Sequence, residues 1–281
     1  MTTPMDSPEI SLANLSSSEA IRLFSNYLRV TGVAHAGPEL KGDPRLVGKR
    51  LGLLNGSSWI TLWANYFGRL YLPGVHLINA GNEAVQINFM EAYAAGSPSL
   101  PLQNLSAFKR YAIDLVELGH VDAVLITCST MNRAYLQVSE ALQPYRTPVY
   151  QIDRPMMELA LKHGGKILVI ATHGPTVDST KALLQEVAGE TGDAVSMTGA
   201  LVEVAWNCLA RGEVEQHNAI LAKTIRERKQ AEGIQCVVLA QLSMTVFLLS
   251  YPDPLKEFGI PVYTSGQCGF KAVREALISK S

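Results

Sequence analysis

Short apolar runs alternate with longer segments of helical pattern along most of the chain. The runs are apolar on both faces, which is typical of parallel strands that are covered by helices on both sides. This alternation predicts an α/β fold built on parallel sheets. The eight runs are RLGLLN (50–55), VHLIN (75–79), DAVLIT (122–127), PVYQI (148–152), KILVIA (166–171), AVSMTG (194–199), QCVVLA (235–240) and IPVYTS (260–265).

An internal repeat runs through these predicted strands. The segment VDAVLITCSTMN (121–132) aligns with IQCVVLAQLSMT (234–245) at an offset of 113 residues, and Pro-Val-Tyr recurs at the same offset. The segment KRLGLLNGS (49–57) aligns with KILVIATHG (166–174) at an offset of 117 residues. Few identities are involved, but three ordered matches at a nearly constant offset predict two related lobes.

Composition and charge limit the class of protein. The chain has 281 residues, 47% of them hydrophobic and 17% charged, which is enough for one large domain or two medium ones. A net charge of -1 gives no electrostatic ground for binding nucleic acid or an anionic membrane. No apolar run approaches the roughly 20 residues of a membrane-spanning helix, and the N-terminus lacks the pattern of a signal peptide. We therefore expect a cytoplasmic protein without nucleic-acid or membrane partners.

The first 45 residues are predicted to form an N-terminal arm and one short helix. Ser16 and Glu19 have the spacing of a capping box, which places the start of that helix. The stretch 33–49 is rich in Gly and Pro and is predicted to be a linker.

The four cysteines are Cys128, Cys208, Cys236 and Cys268. Their spacing matches no zinc pattern and does not indicate a disulfide framework in a chain of this length, so no metal site is predicted. Cys208 and Cys236 lie inside helical and strand patterns, where packing in the core is the expected role.

Polar residues follow four of the predicted strands at the point where each strand ends. Ligands of open parallel sheets bind beyond the carboxyl ends of the strands, and small residues there expose backbone N–H groups that suit a carboxylate. The candidate residues are Asn55, Gly56, Ser57 and Ser58 after the first strand, Cys128, Ser129, Thr130 and Asn132 after the third, Thr172, His173, Gly174 and Thr176 after the fifth, and Gln241 after the seventh.

Cys128 and His173 are the candidate acid/base groups. Cys128 opens a segment of helical pattern, and the partial positive charge of a helix N-terminus favours a thiolate. The alternative is a small core residue, although Ser129, Thr130 and Asn132 are unusual company for a core thiol. His173 begins a loop, where it either relays a proton or is exposed to solvent.

These features together resemble the aspartate/glutamate/hydantoin racemase superfamily. The resemblance rests on a strand ending in Thr-Cys-Ser-Thr-Met-Asn (127–132), the turn Ala-Thr-His-Gly-Pro-Thr (171–176) and the apolar strand QCVVLAQ (235–241). It covers about residues 48–275 and implies two pseudo-symmetric α/β lobes, an active site between them and no cofactor. It also implies that the chain returns to the first lobe at its C-terminus. The implied domains are residues 1–45, a first lobe of 46–150 plus 264–281, and a second lobe of 151–263.

The racemases of this superfamily use one cysteine from each lobe on opposite faces of a substrate α-carbon, because inversion needs proton delivery opposite to abstraction. Cys128 matches the first cysteine. The second falls at Leu239-Ala240-Gln241-Leu242, where the family has Leu-Gly-Cys-Thr. The internal repeat independently pairs Cys128 with Gln241. An amide only hydrogen-bonds, so the sequence predicts a member with a single catalytic thiol.

Three enzymatic interpretations remain open. Cys128 transfers a proton on one face, as an isomerase or a decarboxylase-like lyase would; it acts as a covalent nucleophile, as in maleate isomerases or in a hydrolytic reaction; or His173 replaces the missing base and racemisation persists. In each, Asn55, Thr130, Asn132 and Thr172 together with backbone N–H groups near Ser57, Ser129 and Gly174 would hold carboxylate or enolate oxygens.

A catalytically silent small-carboxylate binding or sensing protein is the alternative outside enzymes. The predicted partner is in either case a small carboxylate or carbonyl-activated molecule, and assembly into a homo-oligomer is left open. Trp59, Trp63, Tyr66 and Phe67 after the first strand indicate either an apolar wall of the site or ordinary core.

Overall fold

The computed structural model describes residues 15–32, 41–97, 100–192 and 194–279. These residues belong to two compact units, the first ending at Gly37 and the second beginning at Pro38. The predicted arm over residues 1–15 lies almost wholly outside the described residues, as does the part of the predicted linker over 33–40.

The first unit contains helix α1, Ser17–Thr31. It begins at the predicted capping box: the Ser16 hydroxyl accepts from the backbone N–H of Glu19, and the Glu19 carboxylate accepts from the backbone N–H of Ser16 at 3.0 Å. Gly32 ends it in the left-handed conformation, with φ of 61°. The prediction of a short helix at this place is confirmed.

The second unit begins with a parallel sheet whose strand order is β2-β1-β3-β4. Its strands are β1 (Arg50–Leu54), β2 (His76–Ala80), β3 (Ala123–Ile126) and β4 (Val149–Gln151). The central strands β1 and β3 are buried on both faces, as their apolar sequences predict, whereas β2 at the edge is only half-buried. In the register, Leu54 lies beside both Ala80 and Ile126, so the residues that follow these strands emerge at one edge of the sheet.

A second parallel sheet repeats the same order as β6-β5-β7-β8. Its strands are β5 (Lys166–Ala171), β6 (Ser196–Leu201), β7 (Cys236–Leu239) and β8 (Val262–Thr264). The bounds of β7 and β8 are those of β3 and β4 displaced by the 113 residues of the internal repeat. Both sheets are flanked by helices, and the predicted two-lobed α/β fold is confirmed.

Helices cover both sheets and begin and end at residues suited to those places. Ser57 caps the first helix after β1 by accepting from the backbone N–H of Ile60, and Gly192, Gly233 and Gly259 end three helices with positive φ. The helices are α2 (Ser58–Tyr71), α3 (Glu83–Ala94), α4 (Leu102–Glu117), α5 (Tyr135–Leu142), α6 (Arg154–His163), α7 (Gly174–Thr191), α8 (Glu203–Ala210), α9 (Val214–Glu232), α10 (Phe247–Ser250), α11 (Pro254–Phe258) and α12 (Ser265–Ser279), with 3-10 turns at Ser129–Ala134, Gln143–Tyr145 and Leu242–Val246. Within the described ranges, none of the helices has the length and apolar character needed to cross a membrane.

The last helix connects the two lobes. It follows β8 of the second sheet, but its residues Phe270, Val273 and Leu277 are buried in one apolar cluster with Leu51 of β1 and Phe67 of α2. The domain boundaries implied by the family resemblance stay a prediction, and the packing of α12 on α2 is what a C-terminal return to the first lobe would produce.

Candidate active site

A cavity of about 310 Å³ lies at the carboxyl ends of strands from both sheets. It contains residues from all four of the strand ends singled out in the sequence. The predicted site residues that it brings together are Ser57, Cys128, Ser129, Thr130, His173, Thr176 and Gln241, and its other lining residues are Trp59, Ile60, Gln86, Met90, Trp206 and Leu242.

Cys128 is buried in the floor of this cavity, with 3% of its surface exposed. Its Sγ lies 3.2 Å from the Thr130 hydroxyl and donates to the Gln86 side-chain oxygen at 3.9 Å. Gly56 faces the sulfur so closely that a Cβ at this position would lie 2.7 Å from it. Gly56 does not itself line the cavity. The space for the Cys128 thiol nevertheless depends on the absence of a side chain at this position.

The thiol is held in its protonated form. Burial raises the pKa of Cys128 above its ordinary value of 9.0, and this outweighs the hydrogen bonds from Thr130 and Met131 that lower it. The charge of Asp153 raises the pKa further. The thiolate expected from a helix N-terminus is a wrong prediction, because Cys128 precedes a short 3-10 turn and the α-helix α5 begins only at Tyr135.

Gln241 occupies the equivalent place in the second lobe. Cys128 and Gln241 each precede a 3-10 turn, and both have extended backbone. The Gln241 side-chain oxygen accepts from the backbone N–H of Thr172 at 2.6 Å and from its hydroxyl at 2.8 Å. The Gln241 amide NH₂ group makes no hydrogen bond within the described part of the chain, so it is free to donate to a ligand. In contrast, both donors of Thr172, its backbone N–H and its hydroxyl, are bound to Gln241. Thr172 does not line the cavity, although the sequence predicted that it would bind the substrate there.

His173 lines the cavity from the end of β5 and is half-buried. Its ring centroid lies 4.2 Å from that of Trp206. Burial lowers the pKa of His173 below its ordinary value of 6.5, and the nearby Glu203 raises it by less. The ring is consequently neutral at pH 7 and can accept one proton.

Asn55 and Ser58 are corrected by the structure. Asn55 is fully buried, donates to the Asn79 side chain at 2.8 Å and accepts from the Thr127 hydroxyl at 2.5 Å, so its amide links the ends of the strands. Ser58 donates from both its backbone N–H and its hydroxyl to the Glu83 carboxylate. Neither side chain reaches the cavity, because each finds a partner that is distant in sequence.

Asn132 and Gly174 also lie outside the cavity lining. Asn132 lines a second, smaller cavity of about 110 Å³ together with Ser129, which belongs to both cavities. Gly174 is the first residue of α7, where an added Cβ would meet only Leu201, at 3.9 Å.

Asp153 is a functional candidate that sequence reasoning missed. It lies in the second cavity with 1% of its surface exposed. One carboxylate oxygen accepts from the Asn132 amide at 2.6 Å, while the other is buried without a partner among the described residues. Burial raises the pKa of Asp153 to about 7, against smaller lowering effects of Ser129, Ser265 and Asn132. Asp153 directly follows the predicted strand PVYQI (148–152), so the sequence alone could have placed it at the end of a strand, where ligands bind.

Two tryptophans form an aromatic wall of the larger cavity. Trp59 of α2 and Trp206 of α8 have ring centroids 4.8 Å apart with planes at 69°, and Trp63 packs behind Trp59 at 5.3 Å. Trp59 was considered as a wall residue from the sequence, whereas nothing in the sequence around Trp206 indicated a site. The described residues contain no group of three or more His, Cys, Asp or Glu side chains that could hold a metal ion.

The fold and the cavity define a class of two-lobed α/β proteins with a ligand site where the strand ends of two repeated sheets meet. The family model for Asp/Glu/hydantoin racemase matches residues 90–273. The chain therefore belongs to the Asp/Glu/hydantoin racemase family, whose members are racemase-type enzymes of the isomerase class.

Solved structures of this class share the fold at low sequence identity. An aspartate racemase homologue from Pyrococcus horikoshii OT3 has a TM-score of 0.61 at 16% identity, covering 82% of this chain and 99% of its own. Allantoin racemase from Klebsiella pneumoniae has a TM-score of 0.57 at 17% identity, covering 83% and 89%. Glutamate racemase from Francisella tularensis, solved with D-glutamate, has a TM-score of 0.57 at 15% identity, covering 83% of this chain and 82% of its own. A comparison with curated protein sequences found no match.

Proposed function

We propose that the protein is a cofactor-independent racemase-type enzyme in which Cys128 transfers a proton on one face of the α-carbon of a small carboxylate or carbonyl-activated substrate. The observation that carries this proposal is that Cys128 and Gln241 precede equivalent turns of the two lobes and line one cavity. One position bears a group that exchanges a proton, and the other bears an amide that does not. The expected reaction is that of an isomerase or a lyase.

The protonation state of the thiol supports proton donation as its first step. A buried thiol with a raised pKa is protonated near neutral pH and can protonate a planar, electron-rich intermediate, such as the carbanion left by loss of CO₂. The S–H bond breaks, the C–H bond forms, and the negative charge passes to sulfur. Exchange at an intact substrate uses the reverse step, in which the thiolate fraction takes the α-proton. Covalent attack by sulfur would draw on the same thiolate fraction, which the raised pKa makes small.

Hydrogen-bond donors around the thiol would stabilise that intermediate. Ser57 and Thr176 line the cavity and carry hydroxyls, and the Gln241 NH₂ group is available from the opposite lobe. Donors that are already in place need no reorganisation as negative charge develops on the substrate oxygens.

Racemisation by Cys128 and His173 is a second candidate. His173 lines the same cavity from the other sheet, and burial lowers its pKa, so the neutral imidazole can accept a proton. The two groups would then serve opposite faces of the α-carbon, with the histidine in place of the absent second thiol.

The test is deuterium incorporation from D₂O into a panel of chiral 2-substituted acids. We expect incorporation by wild type, loss of about 10²-fold or more in Cys128→Ala, and wild-type rates in Cys208→Ala, which removes a buried thiol that does not line the cavity. Incorporation that survives Cys128→Ala would contradict the proposal.

The configuration of the deuterated product separates the two candidates. Retention indicates the one-face reaction. Inversion that disappears in His173→Gln, while exchange persists, indicates the second candidate.

A further inference from the structure

The cavity around Cys128 carries no side chain of fixed charge. Among the described residues, none of those that line it is Lys, Arg, Asp or Glu. Its two titratable groups, Cys128 and His173, are both uncharged near neutral pH, because burial raises the pKa of the thiol and lowers that of the imidazole. A ligand in this cavity consequently meets hydrogen-bond donors but no counter-ion.

The lining supplies both hydrogen-bond donors and apolar groups. Among the donors, Ser57 precedes α2, Thr176 lies in the first turn of α7, and Gln241 follows β7. Trp59 of α2 and Trp206 of α8 meet edge to face, so each lobe supplies one half of an aromatic surface. Ile60, Met90 and Leu242 complete the apolar part of the lining.

An acidic amino acid is a poor match for this lining. Aspartate or glutamate at pH 7 brings two carboxylates and an ammonium group, and burying unpaired charges is strongly unfavourable. One carboxylate can be held by hydroxyls and amide N–H groups alone. The remaining charged groups would face tryptophan and aliphatic side chains.

We propose that the substrate is a monocarboxylic acid, or a carbonyl compound of similar shape, that bears an aromatic ring on its α-carbon. The ring packs against Trp59 and Trp206, and the carboxylate lies among the hydroxyls and the Gln241 NH₂ group. This assignment rests on the proposed function, since it places the α-carbon next to Cys128.

Intrinsic fluorescence provides a direct assay. The chain has three tryptophans; Trp59 and Trp206 line the cavity, and Trp63 contacts Trp59. Titration of the full chain with 2-phenylpropionate should change this emission at concentrations about tenfold or more below those needed with 2-methylbutyrate or glutamate. Glutamate that binds as tightly as 2-phenylpropionate would overturn the proposal.

Substitutions in the wall test where the ring lies, with calorimetry as the readout because the fluorophores change. Trp206→Ala, and Trp206→Leu if the alanine variant does not fold, should weaken binding of 2-phenylpropionate about tenfold and leave that of 2-methylbutyrate within about twofold. Trp63→Phe, outside the cavity lining, should leave both affinities unchanged. Equal weakening of both acids by the Trp206 variants would contradict a ring-specific wall.

Failure of this proposal is distinguishable from failure of the proposed function. Cys128→Ala should still prefer 2-phenylpropionate over glutamate while losing deuterium incorporation. If incorporation survives that substitution and the preference is kept, the proposed function is wrong and the substrate class stands. If glutamate binds more tightly than 2-phenylpropionate and exchanges through Cys128, the substrate class is wrong and the proposed function stands.

Discussion

Replacing the Asp153 carboxyl should change how the stability of the protein depends on pH. Asp153 is buried, and its pKa is raised from 3.8 to about 7 in the folded protein, chiefly by burial. The folded state therefore binds a proton that the unfolded state releases between these two pH values. A raised carboxyl pKa stabilises the fold fully below the unfolded pKa, and that contribution is lost as the pH rises through the folded pKa.

The size of the effect follows from those two pKa values. For one group that titrates at 3.8 unfolded and about 7 folded, the free energy of unfolding should fall by about 2.5 kcal/mol between pH 5 and pH 8. Asp153→Asn keeps an oxygen that can accept from Asn132 and removes the titration. The difference in free energy of unfolding, wild type minus variant, should fall by this amount.

Equilibrium unfolding in urea at pH 5, 6, 7 and 8 measures this difference. Titrations shared by the two proteins, such as those of His173 and His217, cancel in the subtraction. Asp178→Asn is the matched control, since it makes the same substitution at an exposed aspartate on α7. A constant difference for Asp153→Asn would refute the raised pKa of this carboxyl.

Three further predictions concern the thiol and its surroundings. Near pH 7, iodoacetamide should alkylate Cys128 of native wild type more slowly than it alkylates a free model thiol. Alkylation should be faster in Asp153→Asn than in wild type, because the ionised Asp153 carboxylate raises the pKa of the thiol. Equal rates in the two proteins would mean that the two groups are not coupled. Gly56→Ala should lower activity about tenfold or more and destabilise the fold by about 1–3 kcal/mol, because its Cβ would lie 2.7 Å from the Cys128 sulfur. Gly189→Ala, where an added Cβ meets nothing within 4 Å, should do neither when activity and urea unfolding are measured. Gln241→Cys should add inversion to deuterium exchange by restoring a second thiol, whereas Gln241→Ser should not; chiral chromatography of the products in D₂O decides, and identical products from both variants would count against the equivalence of the two turns.

Local sequence patterns predicted the sheets well, because a strand buried on both faces must be apolar along its whole length. β1, β3, β5 and β7 have this pattern and are buried throughout or nearly so. The segment after β3 was predicted less well. Its helical pattern begins at Cys128, yet residues Ser129–Ala134 form a 3-10 turn. Ser, Thr and Asn side chains compete for backbone hydrogen bonds and weaken the start of an α-helix, which accounts for the difference.

Several site residues were predicted at the right edge of the sheet but with the wrong partners. Asn55, Ser58 and Thr172 were expected to bind substrate, and their donors are instead bound to Asn79, Glu83 and Gln241. Position after a strand follows from the sequence. The partner of a side chain depends on residues from 24 to 69 positions away, and spacing carries no information on such contacts.

The sequence by itself determined the duplicated sheets and the pairing of Cys128 with Gln241, because strand periodicity and an internal repeat are properties of local segments. Only the tertiary structure decided which groups carry charge and what surrounds the substrate. Burial holds Cys128 protonated and raises the pKa of Asp153 to about 7. The packing of the two lobes brings Trp206 of the second lobe onto Trp59 of the first. Desolvation and contacts between lobes arise only when distant segments pack together.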